Sequence, residues 1–364
     1  MTSEGEKSGF FQDLKFILSN KIKARYYGWH GFSNLGDDVI YHATREAFAK
    51  DVLFYAAEED GPLAELLGRR LNFRAIFLGG GTLIKGPSAY LRQLRKVLPI
   101  FTKAKFIIFG TGVGDVEMWK SFGVKTDTER WRDIVERSDY IGVRGPLSKK
   151  HLIEWGVKKE IRVIGDTAVW FAREKVAPKE KTKRIGINLG STYKEQIHGR
   201  NENAVLEFGA SLMKRLAQEG WQISLFPMVQ EDVEYMNRAV KMAGISDLEM
   251  HKNFLDFRYV MKEMEKQDIF IGEKLHSVVL ASCVYTPAIM LEYRTKCKDF
   301  MMSIGREDWN YRTDNLNLGT IFDRLTELYE NLETHQNRIA AQIKKIKAGL
   351  ETAVSEINSI IRKT

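Results

Sequence analysis

Residues 22–50 read IKARYYGWHGFSNLGDDVIYHATREAFAK, and their pattern decides the fold class. Positions 22–27 form a short apolar and aromatic run of strand character, followed by a glycine-punctuated segment at 28–36. From 37 to 50 the period changes: Val39, Ile40, Ala43, Ala47 and Phe48 fall on one face of a helix. Strand, glycine turn and helix make the repeating unit of a parallel sheet, because parallel neighbours can be joined only by a crossover that carries the chain back.

Outward from this unit the alternation continues. Further strands are expected at 52–56, 75–78, 105–109, 140–143 and 162–164, with helices between them and Pro146 in a first helical turn, where it is tolerated. The stretch AREKVAPKEKTKR at 172–184 is charged, contains proline and reads as a linker. The pattern then restarts, with strands at 185–189, 222–226, 248–251, 269–271 and 288–291. The fold expected is α/β, with two doubly wound parallel-sheet domains facing a cleft. From 321 to 361 apolar residues recur three or four apart, which predicts a long C-terminal helix packed across both domains; a dimerising coil, and with it a homo-oligomer, is the alternative. The segment FFQDLKFILSNKIK at 10–23 reads as a first helix packed on the first domain, the alternative being a basic amphipathic helix that touches a membrane.

Bulk properties narrow the function. A chain of 364 residues that is 44% hydrophobic has material for two cores. It has no apolar run of 18 residues and no signal-peptide pattern in its first thirty, so a soluble, cytoplasmic protein is expected. Cys283 and Cys297 lack the spacing of a zinc site or a disulfide framework and read as buried or half-buried thiols. The net charge of +8 suits an anionic partner, but the cations are interspersed with 48 acidic residues and no nucleic-acid motif occurs, which argues against nucleic acid.

Several strand ends carry groups suited to chemistry. The segment 27–38 brings three glycines and Asn34 to a helix start that suits an anion or a polar sugar, or else is a tight turn capped by Asp37. Glycine clusters at 79–81 and 110–114 end two further strands and bring Gly80, Gly81 and Thr111 toward the same crevice. Arg144 follows a short strand, where it could grip a phosphate or carboxylate, or else form a surface salt bridge. In the second half Lys274, His276 and Ser277 open a helix, Arg294 and Lys296 follow the next strand, and Asn188, Gly190 and Ser191 follow the first. No metal-ligand cluster is visible, so neither a metal nor a cofactor is expected.

Together these segments resemble the polysaccharide pyruvyl transferase family. Its G-x-x-N-x-G-D, G-G-G, V-R-x-x-x-S, G-D, L-H and Y-x-x-K motifs occur here in order at 31–37, 79–81, 143–148, 165–166, 275–276 and 293–296. Departures are Lys274 where the family often has arginine, Gly145 after Arg144 where it often has aspartate, and Arg294-Thr295 where it often has Asp-Pro. The resemblance implies an architecture similar to the B-type glycosyltransferases, with an acceptor-side domain over 1–175, a donor-side domain over 184–320 and a helical segment over 321–364. It also implies transfer of pyruvate from phosphoenolpyruvate to a sugar of a cell-surface polysaccharide or its precursor, as a ketal. In that reading His276, Asp37 and Arg144 are catalytic. Asn34, Gly36, Gly80, Gly81, Thr111, Asn188, Lys274, Ser277, Arg294 and Lys296 bind substrate. The partners implied are phosphoenolpyruvate and a sugar or glycan acceptor, whose lipid-linked form would call for peripheral contact with the inner membrane face. The alternatives are a nucleotide-sugar glycosyltransferase, with Glu273 or Glu292 clamping a ribose, and a non-catalytic scaffold.

Overall fold

The structure, a computed structural model, describes residues 19–56, 73–86, 88–177, 180–246 and 248–363. The helix expected at 10–23 lies outside the described residues as far as position 18, and Ile22 and Lys23 belong to the first strand. Two parallel sheets follow one another along the chain.

The first sheet contains β1 (Ile22–Tyr27), β2 (Val52–Ala56), β3 (Ala75–Leu78), β4 (Gly81–Ile84), β5 (Lys105–Val113), β6 (Tyr140–Val143) and β7 (Arg162–Val163). Its order is β2-β1-β3-β5-β6-β7, with β4 paired to the extended end of β5. The side-chain period of two divides its residues between two cores: Ala75, Phe77, Ile107 and Phe109 join one, while Ile76, Leu78, Phe106 and Ile108 join the other. Both faces are therefore buried, as the near-continuous apolar runs require. The helices on this sheet are α1 (Leu35–Ala47), α2 (Ala89–Val97), α3 (Val116–Ser121), α4 (Thr128–Val135) and α5 (Pro146–Glu154).

The second sheet has the order β10-β9-β8-β11-β12-β13 and is again parallel throughout. Its strands are β8 (Arg184–Asn188), β9 (Gln222–Leu225), β10 (Glu249–Met250), β11 (Ile269–Gly272), β12 (Ala288–Glu292) and β13 (Asn310–Arg312). The helices between them are α6 (Glu202–Gln218), α7 (Gln230–Ala243), α8 (Phe257–Glu265), α9 (Leu275–Cys283) and α10 (Thr295–Ser303). Strand order reverses between β1 and β3 in one sheet and between β8 and β11 in the other, and these switch points are where open α/β sheets leave a crevice for ligands.

Four features depart from the sequence expectations. The glycine segment at 110–114 is not a free loop: β5 runs through it to Val113, bulging near Gly110, whose φ is 70°. The short strands β4 and β13 were not anticipated. Asn34 caps α1, accepting from the amides of Gly36 (3.1 Å) and Asp37 (3.4 Å), which leaves the Asp37 carboxyl free of that task. The C-terminal helix is two helices, α11 (Leu318–Glu330) and α12 (Leu332–Arg362), broken at Asn331, whose amide and side chain both turn back to Glu327 O.

α12 packs against β5 and the 3-10 turn Thr167–Phe171 of the first half and against α9 of the second. Its buried stripe includes Ile339, Ile343, Leu350, Val354 and Ile357, so the heptad-like apolar face is covered within the chain. Cys283 and Cys297 are free, buried thiols. Among the described residues no helix is long and apolar enough to cross a membrane.

Candidate active site between the two sheets

The two switch points face each other. The amide of Leu35, at the start of α1, donates to Met228 O of the second half at 3.1 Å. Gly36 lies against the His276 imidazole so closely that a Cβ there would overlap the ring. The start of α5 is closed in the same manner: Asp299 of α10 accepts from the amide of Leu147 (2.8 Å) and the hydroxyl of Ser148 (2.6 Å), and a side chain at Gly145 would collide with it. A carboxylate from one half thus caps a helix of the other, with the sign that a helix N-terminus favours.

Between these contacts is a cavity of about 510 Å³. Its acid–base groups are Asp37, from the first turn of α1, and His276, from the first turn of α9. Behind His276 stands Asp166, just after β7. Its Oδ1 accepts from the Ala168 amide at 3.0 Å, while Oδ2 is 3.4 Å from His276 Nε2 and 3.8 Å from Arg144 Nη1. Arg144 is buried at 1% exposure, so the surface salt bridge considered for it from sequence does not occur; it also donates from Nη2 to Thr82 Oγ1 at 3.0 Å, and its Nε has no partner.

Electrostatics follow from this packing. Burial alone pushes the Asp166 carboxyl up, but His276, Arg144 and the Ala168 amide outweigh it and hold the group below the usual carboxylate range. Burial prevails at Asp37, which is raised despite the nearby His276, Lys296 and Arg144. Burial, with Arg294 and Arg144 close by, brings the Lys296 ammonium down to about 7. Lys85 is lowered by burial and by Arg294, and stands 4.7 Å above the ring of Trp119. Four cations, Lys85, Arg144, Arg294 and Lys296, are thus gathered in one cavity beside the single carboxyl of Asp37, an excess of positive charge that suits a small polyanion. Among the described residues no group of three or more His, Cys, Asp or Glu side chains is arranged to hold a metal ion.

Residues 34–295 match the family described as polysaccharide pyruvyl transferase. The chain belongs to that family. No curated protein matches its sequence. Solved structures share its architecture at low identity. S. aureus MnaA in complex with UDP aligns with a TM-score of 0.60 at 12% identity, over 94% of this chain and 97% of that one. A glycosyltransferase from Rickettsia africae gives 0.56 at 11%, covering 95% and 100%. UDP-GlcNAc 2-epimerase from Neisseria meningitidis, bound to UDP-GlcNAc, gives 0.55 at 12%, covering 94% and 100%. The arrangement of two parallel-sheet domains is that of B-type glycosyltransferases and epimerases, and at these identities the likeness speaks for the fold alone.

With the family in view, the sequence candidates divide into two groups. Asn34, Gly36, Asp37, Gly81, Arg144, Lys274, His276, Arg294 and Lys296 line the cavity. Gly80, Thr111, Asn188 and Ser277 lie behind its wall. Gly80 leaves room for Ile40, and Thr111 donates to Leu78 O at 3.0 Å. Asn188 accepts from the Lys274 amide and donates to Phe226 O, both at 2.8 Å, and Ser277 donates to Lys274 O at 2.7 Å. Lys274 itself is engaged, its ammonium donating to Ser191 O and standing 3.6 Å from Asp232.

Three residues were not singled out from sequence. Asp166 belongs to the G-D motif that pointed to the family, and its service to His276 could have been asked there. Lys85 and Trp119 carry no motif. Neither carboxylate considered for a ribose clamp faces the cavity. Glu273 is buried and accepts from the Gly190 amide at 2.9 Å, and Glu292 is buried against His198 at 3.2 Å.

Proposed function

We propose that this enzyme of polysaccharide biosynthesis takes its pyruvyl group from phosphoenolpyruvate and places it as a cyclic ketal on two hydroxyls of a sugar. The sugar belongs to a cell-surface polysaccharide or its precursor. The supporting observation is that one cavity combines the proton-exchanging groups Asp37 and His276 with the cations Lys85, Arg144, Arg294 and Lys296. A donor with a phosphate and a carboxylate needs the second set, and an acceptor that must lose two protons needs the first.

In this reading His276, oriented by Asp166, delivers a proton to the enol carbon, which becomes a methyl group. One sugar hydroxyl meets the positive charge at the neighbouring carbon and loses its proton to Asp37, whose raised carboxyl is better matched to a hydroxyl than an ordinary one. The bond from carbon to phosphate oxygen breaks, and phosphate leaves with the electron pair, stabilised by the cations. The second hydroxyl closes the ketal. Of the two hydroxyl protons, one replaces that given to the methyl group and one leaves with phosphate. No metal or cofactor is needed in this scheme. A cytoplasmic location is part of it, with docking at the inner membrane face if the acceptor is lipid-linked; the net charge of +8 is compatible with such docking.

The test is phosphate release from phosphoenolpyruvate with a panel of hexose and N-acetylhexosamine acceptors, beside a His276→Ala control. Release that needs both acceptor and His276, with a pyruvyl mass gain on the sugar, is the expected result. No release, together with thermal stabilisation by UDP or GDP, would replace the reading with a nucleotide-sugar glycosyltransferase.

A further inference from the structure

The loop joining β1 to α1 presents two aromatic rings to solvent. Trp29 is 46% exposed and Phe32 52%, and among the described residues no other Trp or Phe side chain is exposed. The rings stack on each other with centroids 4.2 Å apart and planes inclined by 25°. Between them in sequence, His30 turns the other way: it is buried at 6% exposure and stacks on Tyr41 at 4.1 Å.

The backbone holds this arrangement. Gly31 and Ser33 both have left-handed φ values, 77° and 54°, and the Gly31 amide donates to Asp38 Oδ1 at 2.7 Å. A serine rarely adopts that conformation without support, so the loop is built to display the rings. Two aromatic rings held together in water beside a cavity are suited to contact a ligand that extends out of it.

Its position identifies the occupant. Trp29 also forms part of the cavity wall that includes Asp37, so the patch is the outer continuation of the site. Deeper in, the rings of Trp119 and Tyr293 are already covered by cations: Lys85 at 4.7 Å over the first and Lys296 at 4.9 Å over the second. Among the described residues no cation stands over Trp29 or Phe32. A small polyanion belongs on the charged wall. The stacked pair at the mouth, which leaves an outer face free of cations, suits a ligand with one apolar face and a hydroxylated edge, which is a pyranose.

We propose that Trp29 and Phe32 form a stacking platform for a second sugar unit of the acceptor, next to the unit that receives the pyruvyl group. This rests on the proposed function, and it makes the natural acceptor a glycan of two or more residues in place of a monosaccharide.

The experiment uses the full-length protein, with mono-, di- and tetrasaccharides of the acceptor sugar found by the phosphate-release panel. Trp29→Ala and Phe32→Ala are expected to raise the KM for the oligosaccharides roughly tenfold, while the KM for phosphoenolpyruvate and kcat stay within about twofold. Trp29→Phe should restore most of the loss. An oligosaccharide KM unchanged in both variants overturns the proposal. So does a variant that keeps its KM for soluble oligosaccharides and loses sedimentation with phosphatidylglycerol vesicles, since the rings would then contact lipid. If the wild-type protein releases no phosphate with any acceptor, the proposed function fails, and the platform is judged by saturation-transfer NMR with di- and tetrasaccharides of the panel's hexoses and N-acetylhexosamines. Signals present with wild type and lost in Trp29→Ala uphold it; signals equal in both, or absent from both, overturn it.

Discussion

Nε2 of His276 stands 3.4 Å from Oδ2 of Asp166, and the two residues belong to different halves of the chain. Asp166 leaves the end of β7, His276 enters α9 after β11, and the pair forms only when the halves are docked. Arg144 shares the same carboxylate oxygen at 3.8 Å, so one buried anion serves both a proposed proton donor and a proposed anion clamp.

Replacing Asp166 by Asn removes that anion and keeps the shape. Turnover is expected to fall by about 100-fold or more, the range of a misdirected acid–base group. Stability should fall by about 3 kcal/mol at neutral pH, because Arg144 is left without its buried counter-charge. The Asp166 pKa is lowered on folding, so its contribution is complete above the ordinary carboxylate range and is lost as pH falls through the depressed value. Urea midpoints of variant and wild type should therefore converge in acid. A gap that stays constant with pH would count against the pairing.

Gly36→Ala sets two effects against each other. Gly36 lies in the first turn of α1, so alanine gains less than the about 1 kcal/mol over glycine of a helix interior, and its Cβ would overlap the His276 ring. The expected outcome is a folded protein with little change in melting temperature and a turnover reduced by at least about tenfold, since a small misplacement of a reacting group is costly. Unchanged turnover would mean that the imidazole position is not critical.

Burial, and Arg294 beside it, bring the Lys296 ammonium down to about 7. It is charged in folded and unfolded chains below that value and neutral only in the folded chain between it and the ordinary 10.5, so anion binding by this residue should weaken as pH rises past neutrality. The profile of kcat/KM for phosphoenolpyruvate should fall on its alkaline side near this value. Lys296→Arg, which stays charged, should move that limb upward. An unmoved limb would assign the ionisation to another group.

Burial pushes the Glu273 carboxyl up to about 8, with the Gly190 amide only partly opposing it. A carboxyl raised on folding contributes stability below its ordinary value, and that contribution is lost as pH rises through the folded value. Wild-type stability should thus decline between about pH 4.5 and pH 8 at this site. Glu273→Gln, the neutral isostere, should match wild type in acid and exceed it at pH 8 in thermal melts. Equal melting at both pH values would show the group to be ionised in the fold.

Much of the architecture was legible because a parallel strand covered on both faces must be apolar along its length, and the runs at 75–78 and 140–143 are. The strands β4 and β13 escaped because GTLI and NYR are short and gain their character from one neighbour each, β5 and β12. The break at Asn331 was hidden by apolar spacing that continues through it, since spacing records which face is buried and not whether the backbone is continuous.

For the site, charged or polar residues at strand ends could be nominated from the chain alone, because strand ends are where a parallel sheet meets its ligands. Local sequence thus determined two parallel-sheet domains, the motifs that place the chain in its family, and the rim on which Asp37, Arg144, His276, Arg294 and Lys296 would lie. Tertiary structure alone decided which of them meet. That Asp166 reaches His276 and that Lys85 joins Arg294 depend on how the two sheets dock, while the capping by Asn34 that leaves Asp37 free and the inward turns of Asn188 and Ser277 are settled by contacts within each half. Docking brings together residues far apart in the chain, and local pattern carries no information about distance between them.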